Sequence, residues 1–182
     1  DALLAANLDA AVPVDRTVLL TRCRGWVVHR GYSRPLNSDC LEAFGQAEDG
    51  TVVWRFAVPV GLGCRIDLTI RLTMQAGRNA VALSFHRAAG TGKESELADT
   101  EPVDVIVRPD IEDRVNHATT KAHNGPEAEW PGLLDCDDRG FRFRPSSGHH
   151  LAVVATGGTF TREPEWQYKV PHPVEATRGL DD

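Results

Sequence analysis

Ile66-Asp67-Leu68-Thr69-Ile70-Arg71-Leu72-Thr73-Met74 alternates apolar and polar residues without a break. Successive side chains of a strand point to opposite faces, so this stretch reads as a strand with one dry and one wet face. The same signal precedes it, where Val52, Trp54, Phe56, Val58 and Val60 alternate with other residues. It follows again at Val81, Leu83 and Phe85. Glu48-Asp49-Gly50, Gly61-Leu62-Gly63 and Gln75-Ala76-Gly77-Arg78-Asn79 supply turn chemistry around the three segments. Residues 51 to 86 therefore predict an antiparallel meander.

Further strands are expected on both sides. Thr17 to His29 is rich in Val, Leu, Thr and Trp, and Val103 to Val107 is expected to be a buried strand that ends at Pro109. Phe141 with Phe143, His150 to Thr156, Thr159 to Thr161 and Trp166 to Val170 extend the set. Helix signals are few. Ala2 to Ala11 is compatible with a short helix and Asp110 to Lys121 with a helical turn, while the stretch through Pro131-Gly132 reads as loop. The expected fold class is all-β, an antiparallel two-sheet β-sandwich.

At 182 residues the chain suits one domain with a real core. Its net charge of −6 is interspersed, without the basic stripe that displaces counterions from a polyphosphate, so nucleic acid is not expected as a partner. No apolar run approaches the length of a membrane span, and no membrane partner is expected. Asp1 to Ala6 lacks Met and a basic n-region, so it is not a secretory signal. It reads as an interior point of a longer protein or a trimmed start. Cys23, Cys40, Cys64 and Cys136 form no C-x-x-C clip. Free thiols in a reducing, cytoplasmic setting are the reading favoured over one disulfide, and over zinc.

Several motifs fall short of the chemistry they suggest. Ala89-Gly90-Thr91-Gly92-Lys93-Glu94 has Glu94 where a phosphate loop needs Ser or Thr. Asp135-Cys136-Asp137-Asp138-Arg139-Gly140 opens like a calcium loop, but Arg139 occupies a ligand position and Ser146 stands where the bidentate Glu belongs. No metal or cofactor is expected. His149 and His150 are adjacent, so on a strand they face opposite ways. Asp113, Arg114 and His117 are spaced so that a helical turn would bring Asp113 beside His117. That cluster is a candidate for facing a neighbouring domain or a sugar, against the alternative of a local salt bridge and turn cap.

Cleaving a glycosidic bond takes two carboxyl groups roughly 5–10 Å apart. Glu112 with Asp113, and Glu163 with Glu165, are sequence neighbours in polar segments and offer no such pair. No catalytic residue is therefore expected in this chain. Among Trp26, Trp54, Trp130 and Trp166, Trp54 fits the dry face of a strand, and Trp130 in a Pro-flanked loop is the candidate exposed stacking face.

Trp166-Gln167-Tyr168, a bend through Pro171 and Pro173, and Glu175-Ala176-Thr177-Arg178-Gly179-Leu180-Asp181 together resemble a junction in the prokaryotic amylo-α-1,6-glucosidase, or glycogen-debranching, family. In that family the junction joins an N-terminal β-sandwich to a helical barrel. Val107-Arg108-Pro109-Asp110-Ile111-Glu112-Asp113-Arg114, followed by His117 and Thr119-Thr120-Lys121-Ala122, resembles a second segment of the family in the same order. The resemblance implies a glycosidase supersandwich lacking its first strands, since the family's early Arg-Tyr-His-Gly motif is absent. It implies a sandwich over residues 1–172 and, over 173–182, the start of a linker to a helical-barrel catalytic domain. That barrel would hold the acid and base for α-1,6-glucosidic hydrolysis and would be this domain's partner, with α-glucan as a further one. Glu175 and Arg178 would then belong to the domain interface. The alternatives are a stand-alone carbohydrate-binding module using Trp130 and Tyr32 as platforms, and a self-contained hydrolase, which the missing carboxylate geometry disfavours.

Overall fold

A computed structural model describes residues 2–9, 11, 16–115, 118, 120, 125–170, 177 and 179. The chain is all-β and sandwich-like, and its described strands form three separate sheets. They are β1 (Leu4–Asn7), β2 (Arg16–His29), β3 (Tyr32–Pro35), β4 (Leu41–Gln46), β5 (Val52–Gly61), β6 (Cys64–Met74) and β7 (Val81–Arg87), then β8 (Asp104–Val115), β9 (Leu134–Asp137), β10 (Gly140–Ser146) and β11 (His149–Val154). Two short 3₁₀ segments, Ser38–Cys40 and Pro126–Leu133, interrupt them. β1, β3 and β8 pair with β2; β4 to β7 form a second sheet in chain order; β9 to β11 form a third. The chain groups into two compact units, residues 22–110 and residues 1–21 with 111–182.

The meander is the backbone of the first unit. β5 and β6 pair antiparallel with Val58 opposite Ile66 and Phe56 opposite Leu68. Those four residues are buried, together with Val60, Val27 and Cys40. Asp67, between Ile66 and Leu68, is exposed, as a period of two requires. The register carries the dry face along a full row from Phe44 through Trp54 and Ile70 to Phe85. Burial fades along β6 from Leu68 toward Met74. Ile70 and Leu72 are half-buried, and Met74 is 61% exposed. β4 carries no sequence signal because Leu41-Glu42-Ala43-Phe44-Gly45-Gln46 lacks β-branched residues, yet it pairs along β5.

The predicted turns close as expected. The Gly50 amide bonds to the carbonyl of Ala47 at 3.0 Å, and the Thr51 amide donates to Asp49 Oδ1 at 2.9 Å. Thr51 also draws the Asp49 carboxyl below its ordinary value. In the second unit Phe143 is fully buried, with Phe141, Leu151, Leu4, Ala6, Val18, Leu19 and Leu20 also buried.

Several expectations are corrected. Ala2 to Ala11 holds a strand rather than a helix: Leu4 and Ala6 are buried while Ala5 and Asn7 face outward. Edge pairing to β2 overrides the helix propensity of alanine and leucine. The Val103 to Val107 strand is not buried, since Ile106 is 48% and Val107 37% exposed, and β8 does not end at Pro109 but runs on to Val115. A missing N–H is tolerated where a strand bonds on one side, and among the described residues β8 pairs with β2. The helical turn predicted from Asp110 is therefore strand as far as Val115. Pro126–Leu133 is a 3₁₀ segment, not irregular loop, whereas Thr159–Thr161 and Trp166–Val170 are not strands.

Candidate functional site

Asp113 lies on β8, where alternation separates it from Glu112 and Arg114. The stretch carrying Asp113 is strand rather than a helical turn. The imidazole that meets Asp113 is that of His149, with Nδ1 at 2.8 Å from Oδ1. A tight turn positions it. β10 and β11 pair Ser146 with His149, and Gly148 takes φ 94°, a conformation that glycine alone adopts freely. His150 faces solvent, as its adjacency to His149 requires.

Glu112 and Arg114 share the other face of β8 and pair through Glu112 Oε2 and Arg114 Nε, both side chains being largely buried. The Thr120 hydroxyl lies 3.4 Å from the same Oε2. His117, Glu175 and Arg178 lie outside the described residues.

Trp130 departs from expectation. It is 7% exposed, inside the 3₁₀ segment, and so is not an open stacking face. Its ring meets Phe143 edge-on at 5.4 Å and stacks on Trp166 at 5.8 Å. Arg162 clips the segment carrying Trp166 by donating from Nη2 to the carbonyl of Pro131 at 2.6 Å. Trp166 thus contributes through this stack rather than through a strand ladder.

In the other unit, Arg22 and Arg24 occupy one face of β2 and both grip Asp110, Arg24 with Nη2 at 2.9 Å. The Arg24 guanidinium also lies 5.9 Å from the Trp26 ring centre. The paired spacing of Arg22 and Arg24 was visible in the strand pattern, but Asp110 as their partner depends on long-range register. Cys23 between them has its thiol pushed up to about 11, first by burial and then by the negative charge of Asp110. Such a thiol is a poor nucleophile at neutral pH.

The glycine-containing loop after β7 is unsuited to phosphate. The amide of Gly90 already donates to Asp99 at 2.9 Å, and Thr91 donates through its amide and hydroxyl to Glu96. Those bonds hold the Glu96 carboxyl below its usual value, leaving fixed negative charge where an anion would sit. The Asp135–Gly140 stretch spends Asp137 on the amide of Arg139, at 2.8 Å, in the turn between β9 and β10. All four cysteines are free. Among the described residues no three His, Cys, Asp or Glu side chains come together as a metal site, and no helix is long and apolar enough to cross a membrane.

Neither the curated proteins nor the solved structures contain a match to the chain. The family model described as glycogen debranching enzyme N terminal matches residues 1–182. With a match over the whole of this all-β chain, it belongs to the glycogen debranching enzyme N-terminal family.

Proposed function

We propose that this chain is the non-catalytic N-terminal domain of a debranching-type glycosidase, and that it packs on and shapes a catalytic domain hydrolysing α-1,6-glucosidic bonds. The observation that carries this reading is the match of an N-terminal debranching family along all of residues 1–182. The chemistry of the carboxylates supports it. Glycosidic cleavage needs one carboxyl kept protonated and a second across the bond. Here Asp110, Glu112 and Asp113 are each held by a cationic or imidazole partner. Asp49 and Glu96 are shifted toward the ionised form, the opposite of a general acid. The partners in this reading are the helical-barrel catalytic domain of the same protein and, through it, an α-glucan. Four free thiols suit the reducing cytoplasm.

A stand-alone carbohydrate-binding module is the weaker reading, because Trp130, its principal platform, is buried. The test compares the full-length protein with a version lacking residues 1–182 on a branched α-glucan. Loss of debranching on deletion, with no turnover by the isolated chain, is the expected result. Turnover by the isolated chain, abolished by substituting one of its own carboxylates, would overturn the proposal.

A further inference from the structure

The pairing of β7 with β6 ends where Arg87 lies opposite Leu68, while β6 itself extends back to Cys64. The chain leaves β7 with the Ala88 amide on the carbonyl of Asp67, at 2.8 Å. It loops out and returns at Ser95 to Leu97. There the Arg65 amide donates to the carbonyl of Ser95 at 2.9 Å, and the Leu97 amide to the carbonyl of Arg65 at 3.0 Å. Arg65 and Glu96 thereby form a parallel bridge, so the returning limb covers a stretch of β6 that β7 leaves open. A strand edge left uncovered offers its N–H and C=O groups to other strands.

Polar bonds, not packing, hold this loop. No residue from 88 to 102 is buried, and Leu97 packs only partly against the core. Arg87 reaches across instead. Its Nη1 donates to the carbonyl of Glu101 at 2.6 Å, and its Nη2 to the carbonyls of Leu97 and Ala98, both at 2.9 Å. The outgoing limb is tied to the returning one through carboxylates, Gly90 to Asp99 and Thr91 to Glu96. At the far foot His29 donates from Nδ1 to the carbonyl of Pro102 at 3.0 Å. A guanidinium presents its donors in a rigid planar fork, so the three carbonyls on Arg87 are held together and released together.

We infer that residues 88–102 form a strap that opens and closes over the β6 edge as one cooperative unit, with Arg87 as its bolt, while β5 and β6 stay paired. Segments that open below the global unfolding free energy have few buried apolar contacts and are held by exposed hydrogen bonds. The strap meets that description, whereas Val58, Ile66 and Leu68 beside it are buried. Its bonds also interlock. Glu96, which accepts from Thr91, sits between the two residues that bond Arg65. Asp99, which accepts from Gly90, sits between two of the carbonyls that Arg87 grips. Freeing one limb therefore removes the partners of the other. Opening bares the Arg65 N–H and C=O at the edge of β6, and closing shields them.

Native-state hydrogen exchange of the full-length protein, read amide by amide, tests this. In the wild type the amides of Gly90, Thr91, Leu97 and Glu101 should share one opening constant and exchange faster than those of β5. Arg87→Lys keeps the charge and loses the fork. It should raise exchange at Gly90 and Thr91, which Arg87 does not touch, by about tenfold, as for the loss of one charge-assisted hydrogen bond. Glu96→Ala, in the exposed loop, should raise exchange at Glu101 in the same way, although Glu96 makes no bond there. The β5 amides should be unchanged in both variants. Strap amides as strongly protected as those of β5, or variants that each speed only the amides they bond, would overturn the inference.

Discussion

His149 Nδ1 lies 2.8 Å from Asp113 Oδ1, tying the first residue of β11 to β8. The two side chains are only partly shielded, at 32% and 15% exposure, so the bond is moderate rather than strong. A double-mutant cycle of Asp113→Ala and His149→Ala should give a coupling energy of about 0.5–1.5 kcal/mol in urea unfolding. Additive single effects would mean that the two strands are held by packing alone.

β6 should show a gradient along one face. Leu68 is buried and Met74, six residues on, is exposed. Leu68→Ala should cost about 2–5 kcal/mol, the range for an emptied buried aliphatic site. Met74→Ala should change stability by less than about 0.5 kcal/mol, as at an open surface position. Equal losses at the two sites would show that the whole dry face is covered in solution.

Trp130 is predicted to be structural. Trp130→Ala removes a buried ring from between Phe143 and Trp166 and should cost about 3–5 kcal/mol. Native tryptophan emission should lie to the blue and move red on unfolding, and added α-glucan should leave it unchanged. Quenching of Trp130 emission by the glucan, in a variant keeping that tryptophan alone, would restore the platform reading.

Cys23 should make stability fall in alkali. Its thiol is raised from 9.0 to about 11, so the folded chain holds that proton more tightly than the unfolded chain. The stabilisation is complete below the unfolded value and is lost as pH rises from about 9 toward about 11, with an upper size of roughly 2–3 kcal/mol. Cys23→Ser should flatten this decline, compared as urea midpoints at pH 8 and pH 10. In guanidinium without reductant all four thiols should react with a thiol reagent, and fewer would reveal a disulfide.

Local chemistry was legible where it was local. The β5–β6–β7 meander follows from period-two alternation, and its turns follow from glycines and an aspartate that need no distant partner. The opposite facing of His149 and His150 rests on adjacency and holds for the same reason. What the sequence alone could not reach depended on pairing across long separations. Leu4–Asn7 is a strand because β2 offers it an edge, and β8 passes through Pro109 while pairing, among the described residues, with β2. Asp113 found His149 thirty-six residues away, while the spacing suggested His117 only four residues on. Trp130 sits in a Pro-flanked stretch that reads as surface, yet Trp166 and Phe143 enclose it. Propensity and spacing describe what a segment permits. Burial is decided by which other segment arrives to cover it, and that information is spread over the whole chain.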